Sequence, residues 1–160
     1  CGWQDNNFTI STEPSLPSSP YVLNNEYYIR NLNGEYMGRS SNLIDNKNII
    51  YFSDETDAIN NNNFVWIPQD AGNGNIYLIN KLTGNRMYFA GSFMANNESY
   101  NTSSQLADEF LVIPTEIGSY YIRLYPYKGC NTTFCNILKD GIGYYLLSQD
   151  YFAEDMSHIH

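Results

Sequence analysis

One hairpin pattern recurs along this chain, and it restricts the possible folds more than any other feature of the sequence. In the central copy two short strands rich in Tyr, Ile and Leu flank Thr83-Gly84-Asn85, where glycine supplies the positive φ that a tight turn needs. Met87 follows three residues after the glycine. The first copy repeats this arrangement with Gly34 in the turn and Met37 three residues later. A recurring hairpin predicts an internal repeat.

The third copy and the segments before the hairpins strengthen this interpretation. After an insertion, Gly143 and Leu146 occupy the glycine and methionine positions of the third hairpin. A strand that starts at phenylalanine precedes each hairpin, at Phe8, Phe64 and Phe110, with separations of 56 and 46 residues. Three copies at a period near fifty residues, all made of strands and turns, indicate a repeat architecture.

The fold predicted from this repeat is an all-β β-trefoil. In a trefoil some strands close a short barrel and the remaining hairpins cap it, so no sheet edge stays bare. We expect a single domain over residues 1–160, with three repeats of about four strands in permuted order, each beginning with the Phe-led strand. The repeats run approximately over 6–60, 61–107 and 108–160. A β-sandwich ranks second because it does not predict a threefold repeat.

The trefoil makes specific predictions about the core and the loops. We expect five apolar side chains to be buried and related by the pseudo-threefold axis: Phe64, Phe110, Met37, Met87 and Leu146. Residues 54–63 are polar and end in four asparagines, so we expect a loop there.

Composition excludes several classes of function. The chain has 17 acidic and 8 basic residues, a net charge of −9, so neither nucleic acid nor anionic lipid is an expected partner. No stretch of eighteen apolar residues exists that could insert into a membrane. The only histidines are the last and third-last residues, and no nucleophile elbow, metal-binding motif or phosphate loop is present. We therefore expect no enzyme, no cofactor and no metal.

Sequons and cysteines indicate a secreted glycoprotein. Four Asn-x-Ser/Thr acceptors lie in polar, turn-like stretches, at Asn7, Asn97, Asn101 and Asn131. Cys130 and Cys135 enclose a short loop that a disulfide could close in an oxidising compartment. Cys1 is then left over, and it could instead pair with one of these two, bridge to another chain or carry a lipid.

The central copy resembles the repeat of ricin-type lectin domains. From Phe64 to Ser92 it combines an aromatic strand, an aromatic-led strand ending in asparagine, a Thr-Gly turn and a short apolar strand. Tyr28-Ile-Arg-Asn31 followed by Asn33-Gly34 resembles the same pattern. The Gln-x-Trp signature of that family is absent from all three copies, and Asn-x-Phe or Asp-x-Phe stands in its place.

The resemblance implies carbohydrate or glycoprotein ligands and a position for the site, between the second strand of a copy and the loop before its aromatic-led strand. In the first copy this points to Asp45, Tyr51, Asn61 and Asn62, and in the third to Gln149, Asp150 and Tyr151. Two alternatives remain open at this stage. One is a protease inhibitor or receptor ligand that acts through the exposed loop 129–135, and the other is a structural or storage glycoprotein without a specific ligand.

Overall fold

The computed structural model describes residues 21–90, 93–96, 108–125, 138 and 141–148, which contain ten strands, one short α-helix and one 3₁₀ turn. In chain order the elements are β1 (Tyr27–Arg30), β2 (Tyr36–Ile44), β3 (Lys47–Ser53), α1 (Glu55–Ala58), the 3₁₀ turn (Asn62–Phe64), β4 (Val65–Gly72), β5 (Asn75–Asn80), β6 (Tyr88–Phe89), β7 (Met94–Ala95), β8 (Glu109–Pro114), β9 (Tyr120–Tyr125) and β10 (Gly143–Ser148). Neither helical segment among these residues has the length or the apolar run needed to span a bilayer.

Six of the strands close a barrel. Antiparallel pairing runs from β10 through β9, β8, β5 and β4 to β1, and β1 pairs back to β10. The hairpins β2–β3 and β6–β7 lie outside the ring, and β3 pairs with β7 through Ile49 and Ala95. A closed six-stranded barrel with hairpins beside it is the architecture of a β-trefoil, so the predicted fold class is confirmed.

The register of the barrel repeats three times. Tyr27 pairs with Trp66, Ile76 with Phe110, and Tyr120 with Tyr144. These pairs define three equivalent thirds of the described chain, each opening with one barrel strand and ending with another. The first third is β1–β4, the second is β5–β8, and the third opens with β9 and ends with β10.

Threefold layers of apolar side chains fill the barrel because alternate residues of a strand point to the same face. The strands that open the thirds contribute one layer, Ile29, Leu78 and Ile122. The strands that end them contribute a second layer, Pro68, Val112 and Leu146. The void that remains among these side chains is about 10 Å³, roughly the space of one water molecule. The barrel interior is therefore a packed core.

The core predictions hold for burial and partly for symmetry. All five predicted side chains are at least 92% buried. Met37 and Met87 are equivalent, because each follows a residue that pairs with the same register position of a barrel strand. Tyr36 pairs with Arg30, and Arg86 pairs with Ile79. Phe64 and Phe110 are not equivalent. The register equates Phe110 with Trp66, and both lie in the barrel core. Phe64 lies in the 3₁₀ turn before β4 and is buried in a separate cluster beside Tyr28 and Tyr36.

The third-hairpin prediction for Gly143 and Leu146 is wrong. These residues belong to the barrel strand β10, where Leu146 pairs with Ile29. β10 pairs with β1 in the same way as β4 pairs with β5. From the sequence, the strand at Phe8 was expected in the position that β10 occupies. Phe8 itself lies outside the described residues. The error arose because a glycine followed by an apolar run fits a hairpin arm and a barrel strand equally well.

Candidate functional site: the surface around α1

The structure brings together three of the four site residues predicted in the first copy. Tyr51 lies in β3, while Asn61 and Asn62 follow α1 at the 3₁₀ turn. Asp45 lies at the tip of the β2–β3 hairpin, where it and Asn46 have φ of 52° and 63°. Two successive positive φ values are typical of a primed hairpin turn. Six residues of strand place Asp45 about 20 Å from Tyr51, so Asp45 does not belong to this site.

Side-chain caps create α1 where the sequence predicted a loop. The Asp54 side chain accepts a hydrogen bond of 3.2 Å from the backbone nitrogen of Asp57, which caps the first turn. The Ser53 hydroxyl donates to the Asp57 carboxylate. The loop predicted over residues 54–63 is therefore wrong in part, because capping Asp and Asn residues stabilise two short helical turns within it.

Asn61 holds the segment after α1 in place. Its Oδ1 accepts a hydrogen bond of 3.0 Å from the backbone nitrogen of Asn63, and its Nδ2 donates over 3.1 Å to the carbonyl oxygen of Asp57. Both ends of the amide are thus bonded to the backbone. We infer that Asn61 positions the surface, while the exposed Asn62 is the amide that faces solvent.

The aromatic ring of Tyr51 packs on Phe64, with ring centroids 5.8 Å apart and an interplanar angle of 59°. Phe64 in turn lies over Gly38, the cross-strand partner of Tyr51. A Cβ atom at position 38 would lie 2.3 Å from Cε2 of Phe64. The missing side chain of Gly38 therefore allows Phe64 to support the ring of Tyr51 from below.

The electrostatics of the site keep the Tyr51 hydroxyl protonated. Burial raises the pKa of Tyr51 most, and the carboxylate of Asp57 adds to this. A hydrogen bond between the Tyr51 and Ser53 hydroxyls lowers the pKa, and Asp54 raises it further. A neutral phenol beside two exposed carboxylates offers one donor and several acceptors on one surface.

Sequence reasoning missed Ser53, Asp54 and Asp57 as members of this surface. The Asp54-Glu55 pair was visible, but acidic pairs are expected by chance in a chain with 17 acids. A more specific signal was the pattern that starts a helix. A capping residue such as Asp54 followed three positions later by an acidic residue such as Asp57 indicates a helix N-terminus. That pattern would have placed the two carboxylates on one helical turn.

Several predicted residues lie outside the described part of the chain and stay predictions. They are the third-copy site residues Gln149, Asp150 and Tyr151, the sequons at Asn7, Asn97, Asn101 and Asn131, and the cysteines Cys1, Cys130 and Cys135. The alternative binding loop 129–135 falls there too.

The chain is similar in structure to proteins of different origin. A salivary protein from Culex quinquefasciatus, of the Cysteins and Tryptophan-Rich (CWRC) family, matches with a TM-score of 0.59 and 11% identity over 80% of this chain and 95% of its own. The designed threefold-symmetric protein ThreeFoil matches with a TM-score of 0.52 and 12% identity over 77% of this chain and 89% of its own.

A lectin is also among the similar structures. The lectin of Polyporus squamosus, bound to the epitope Neu5Acα2-6Galβ1-4GlcNAc, matches with a TM-score of 0.51 and 15% identity over 81% of this chain and 50% of its own. No protein-family model matches the sequence, and no curated protein sequence matches it. At these identities the similarity establishes the fold and nothing finer. The resemblance seen in the sequence is thus confirmed at the level of the β-trefoil fold.

Proposed function

We propose that the protein is a non-enzymatic carbohydrate-binding module that uses the surface around α1. The observation that supports this most directly is the half-buried ring of Tyr51 beside the exposed carboxylates of Asp54 and Asp57. A sugar ring presents an apolar face that stacks on an aromatic side chain. Its hydroxyl groups donate to carboxylates and accept from a phenol or an amide.

The geometry matches these requirements group by group. The Tyr51 ring is held by Phe64 and its hydroxyl is a neutral donor. The carboxylates carry charge, so hydrogen bonds that they accept are stronger than neutral ones. Asn62 adds an exposed amide at the edge of the surface. Asp54, Asp57 and Asn62 are exposed, so a ligand buries little area and we expect a single site to bind with a dissociation constant of roughly millimolar.

The similarity in fold adds independent support. The Polyporus lectin is bound to a sialylated trisaccharide and shares the trefoil fold with this chain. A fold of this kind hosts many functions, so a binding function has to be inferred from the residues of the site. Gln149, Asp150 and Tyr151 form a second proposed site in the third copy, because they combine an amide, a carboxylate and an aromatic ring.

A glycan array probed with the recombinant protein is the first test. A glycan that binds on the array is then titrated into the protein and its variants. Asp57→Asn should lower the affinity by about 10- to 100-fold, since a hydrogen bond to a charged group is removed. Tyr51→Phe keeps the ring and removes the donor, so we expect a loss of about two- to tenfold.

Asp45→Asn is the matched control, because it removes the same charge at the distant hairpin tip and should leave affinity unchanged. Asp150→Ala tests the second proposed site in the same titration. If the intact protein binds no glycan, the proposed function is rejected. If Asp45→Asn weakens binding as much as Asp57→Asn, the assigned surface is rejected.

We further propose that the protein acts outside the cell. The four sequons support this, and one structurally similar protein is salivary. Expression behind a signal peptide in a eukaryotic host should yield secreted protein whose mass falls after enzymatic removal of N-linked glycans. Substituting Asn97 and Asn101 by Gln should remove part of that mass change. Secreted protein with no glycan mass would contradict the glycoprotein assignment.

A further inference from the structure

An open cleft of about 730 Å³ lies on the outer side of the barrel in the last third of the chain. Its walls come from the β8–β9 turn, the start of β10 and the turn after β1. The apolar walls are Leu32, Pro114, Ile117 and Tyr121, and the polar part is Thr115, Glu116 and Ser119. This cleft is separate from the surface around α1 and shares no residue with it.

The equivalent position in the first third is closed by an ion pair. The repeated barrel register gives the corresponding residues. Glu26 corresponds to Ser119, Val65 to Gly143, and Lys81 to Leu32. There Lys81 Nζ lies 2.8 Å from Glu26 Oε1 and bridges the gap.

The equivalent position in the second third is closed by a hydrogen bond. The Nδ2 atom of Asn75 donates to Oε1 of Glu109 over 3.1 Å, at the positions that correspond to Ser119 and Gly143. Two of the three equivalent positions are therefore spanned by polar side chains.

The last third cannot form either bridge. Gly143 has no side chain, and a Cβ there would lie 2.6 Å from Oγ of Ser119. Leu32 has no polar atom to replace the ammonium group of Lys81. Ser119 Oγ lies 2.7 Å from Oγ1 of Thr115, so these two hydroxyls bond to each other within their own turn. The cleft is open because its three bridging positions carry glycine, leucine and a serine bonded within its own turn.

The exposed side chains at the cleft define the chemistry of a ligand. Ile117 is 69% exposed, Leu32 58% and Tyr121 40%, which makes an apolar patch around one carboxylate, Glu116. Contiguous apolar exposure rimmed by polar groups marks binding surfaces. The lining contains no Lys or Arg, and the whole chain carries a net charge of −9.

We propose that this cleft binds a segment of a partner protein in which an apolar side chain adjoins lysine or arginine. The apolar group lies against Leu32, Ile117 and Tyr121, and the cation pairs with Glu116. A second copy of the same chain is a poor occupant, since it would bring another net charge of −9. A sugar is a poor occupant, because Thr115 and Ser119 already bond to each other. Glu116 alone then remains to bond the hydroxyl groups of a sugar.

Matched dipeptides test the proposal on the whole protein labelled with ¹⁵N. Acetyl-Trp-Lys-amide and acetyl-Trp-Glu-amide differ only in the sign of one charge. Titration with the lysine peptide should shift the amide resonances of Ile117, Tyr121 and Gly143, with a dissociation constant of roughly millimolar for a ligand of this size. The glutamate peptide should bind more weakly.

Two variants and one control locate the binding. Glu116→Gln should weaken the lysine peptide by about two- to fivefold, as expected for an exposed ion pair. Leu32→Lys copies Lys81 into the cleft and should abolish the shifts. Leu43→Lys is the control, because Leu43 is 56% exposed at the β2–β3 hairpin, so it matches Leu32 in exposure and in charge change.

With the peptides, any of four results would overturn the proposal: no shifts with the lysine peptide, shifts that map elsewhere, equal affinity for the glutamate peptide, or equal loss in Leu43→Lys. Titration with N-acetylglucosamine separates this site from the proposed lectin surface. Sugar-induced shifts at Ile117 and Tyr121 would overturn the peptide assignment, whereas shifts around Tyr51 would leave it intact.

Discussion

The indole nitrogen of Trp66 donates a hydrogen bond of 2.9 Å to the carbonyl oxygen of Met37, 29 positions earlier in the chain. Both residues are fully buried. The bond joins the barrel strand β4 to the strand β2 of the first hairpin outside the barrel, so it connects two layers that no strand pairing links at this point.

Trp66→Phe should destabilise the protein by about 1–3 kcal/mol, because the buried carbonyl of Met37 loses its donor while an aromatic ring is kept. Urea denaturation followed by circular dichroism measures the change. The slope m should stay constant, since the folded state remains compact. A loss below about 0.5 kcal/mol would show that water or another donor replaces the indole.

Gly38→Ala should destabilise the protein by about 1–3 kcal/mol through overpacking against Phe64. The double variant Gly38→Ala/Phe64→Leu should recover part of that loss, because a smaller side chain makes room for the new methyl group. A double-mutant cycle in urea gives the coupling energy. Purely additive losses would mean that the two residues do not constrain each other.

Stability should fall as the pH rises above about 10, the pKa of tyrosine in an unfolded chain. Burial is the main cause that raises the pKa of five tyrosines: Tyr21, Tyr28, Tyr51, Tyr88 and Tyr120. The folded state then keeps protons that the unfolded state releases. The contribution is complete below pH 10 and is lost between that value and the raised pKa.

Tyr88→Phe isolates one of these contributions, since burial is the cause that raises the pKa of Tyr88. Each such tyrosine contributes up to about 1.4 kcal/mol per pH unit in that window. The urea midpoint measured from pH 8 to pH 11 should therefore fall less steeply in the variant. Parallel curves for the two proteins would contradict the prediction.

Cys130 and Cys135 should form a disulfide in secreted protein, as their spacing in a Gly- and Asn-bearing stretch predicts. The loop is short, so the chain-entropy model gives a stabilisation of about 2 kcal/mol. Peptide mapping without reduction identifies the bonded pair. A peptide that joins Cys1 to either residue would assign the bridge to the N-terminal segment instead.

The turns of this fold could be predicted from local sequence. Gly34 and Gly84 have φ of 83° and 72°, as the hairpin pattern required. Asn80 is the last residue of β5, and Asn31 occupies the equivalent position directly after β1. Each side chain accepts hydrogen bonds from backbone NH groups two to four residues later. Turns of this kind depend on neighbours within a few residues, so a sequence pattern records them.

The closing strand could not be predicted from the same evidence. Gly143 is needed for its close approach to Ser119, a contact between residues 24 positions apart. Whether a glycine serves a turn or a close approach depends on pairing at long range, which one sequence does not reveal. For the candidate site too, the residues could be predicted but their distances could not. Tyr51 and Asp45 were both implied by the resemblance to ricin-type repeats, but the distance between them depended on the length of the β2–β3 hairpin.

The two layers inside the barrel have a consequence for how such a chain can change over generations. Each third contributes only one side chain to each layer, for example Ile29, Leu78 and Ile122. The barrel interior is shared by all three thirds, so a change in one of these side chains must be matched by the others in its layer. The outer surface is not shared in this way. The last third has an open cleft where the first has an ion pair and the second a hydrogen bond. A surface feature of one third can therefore change without repacking the shared barrel interior.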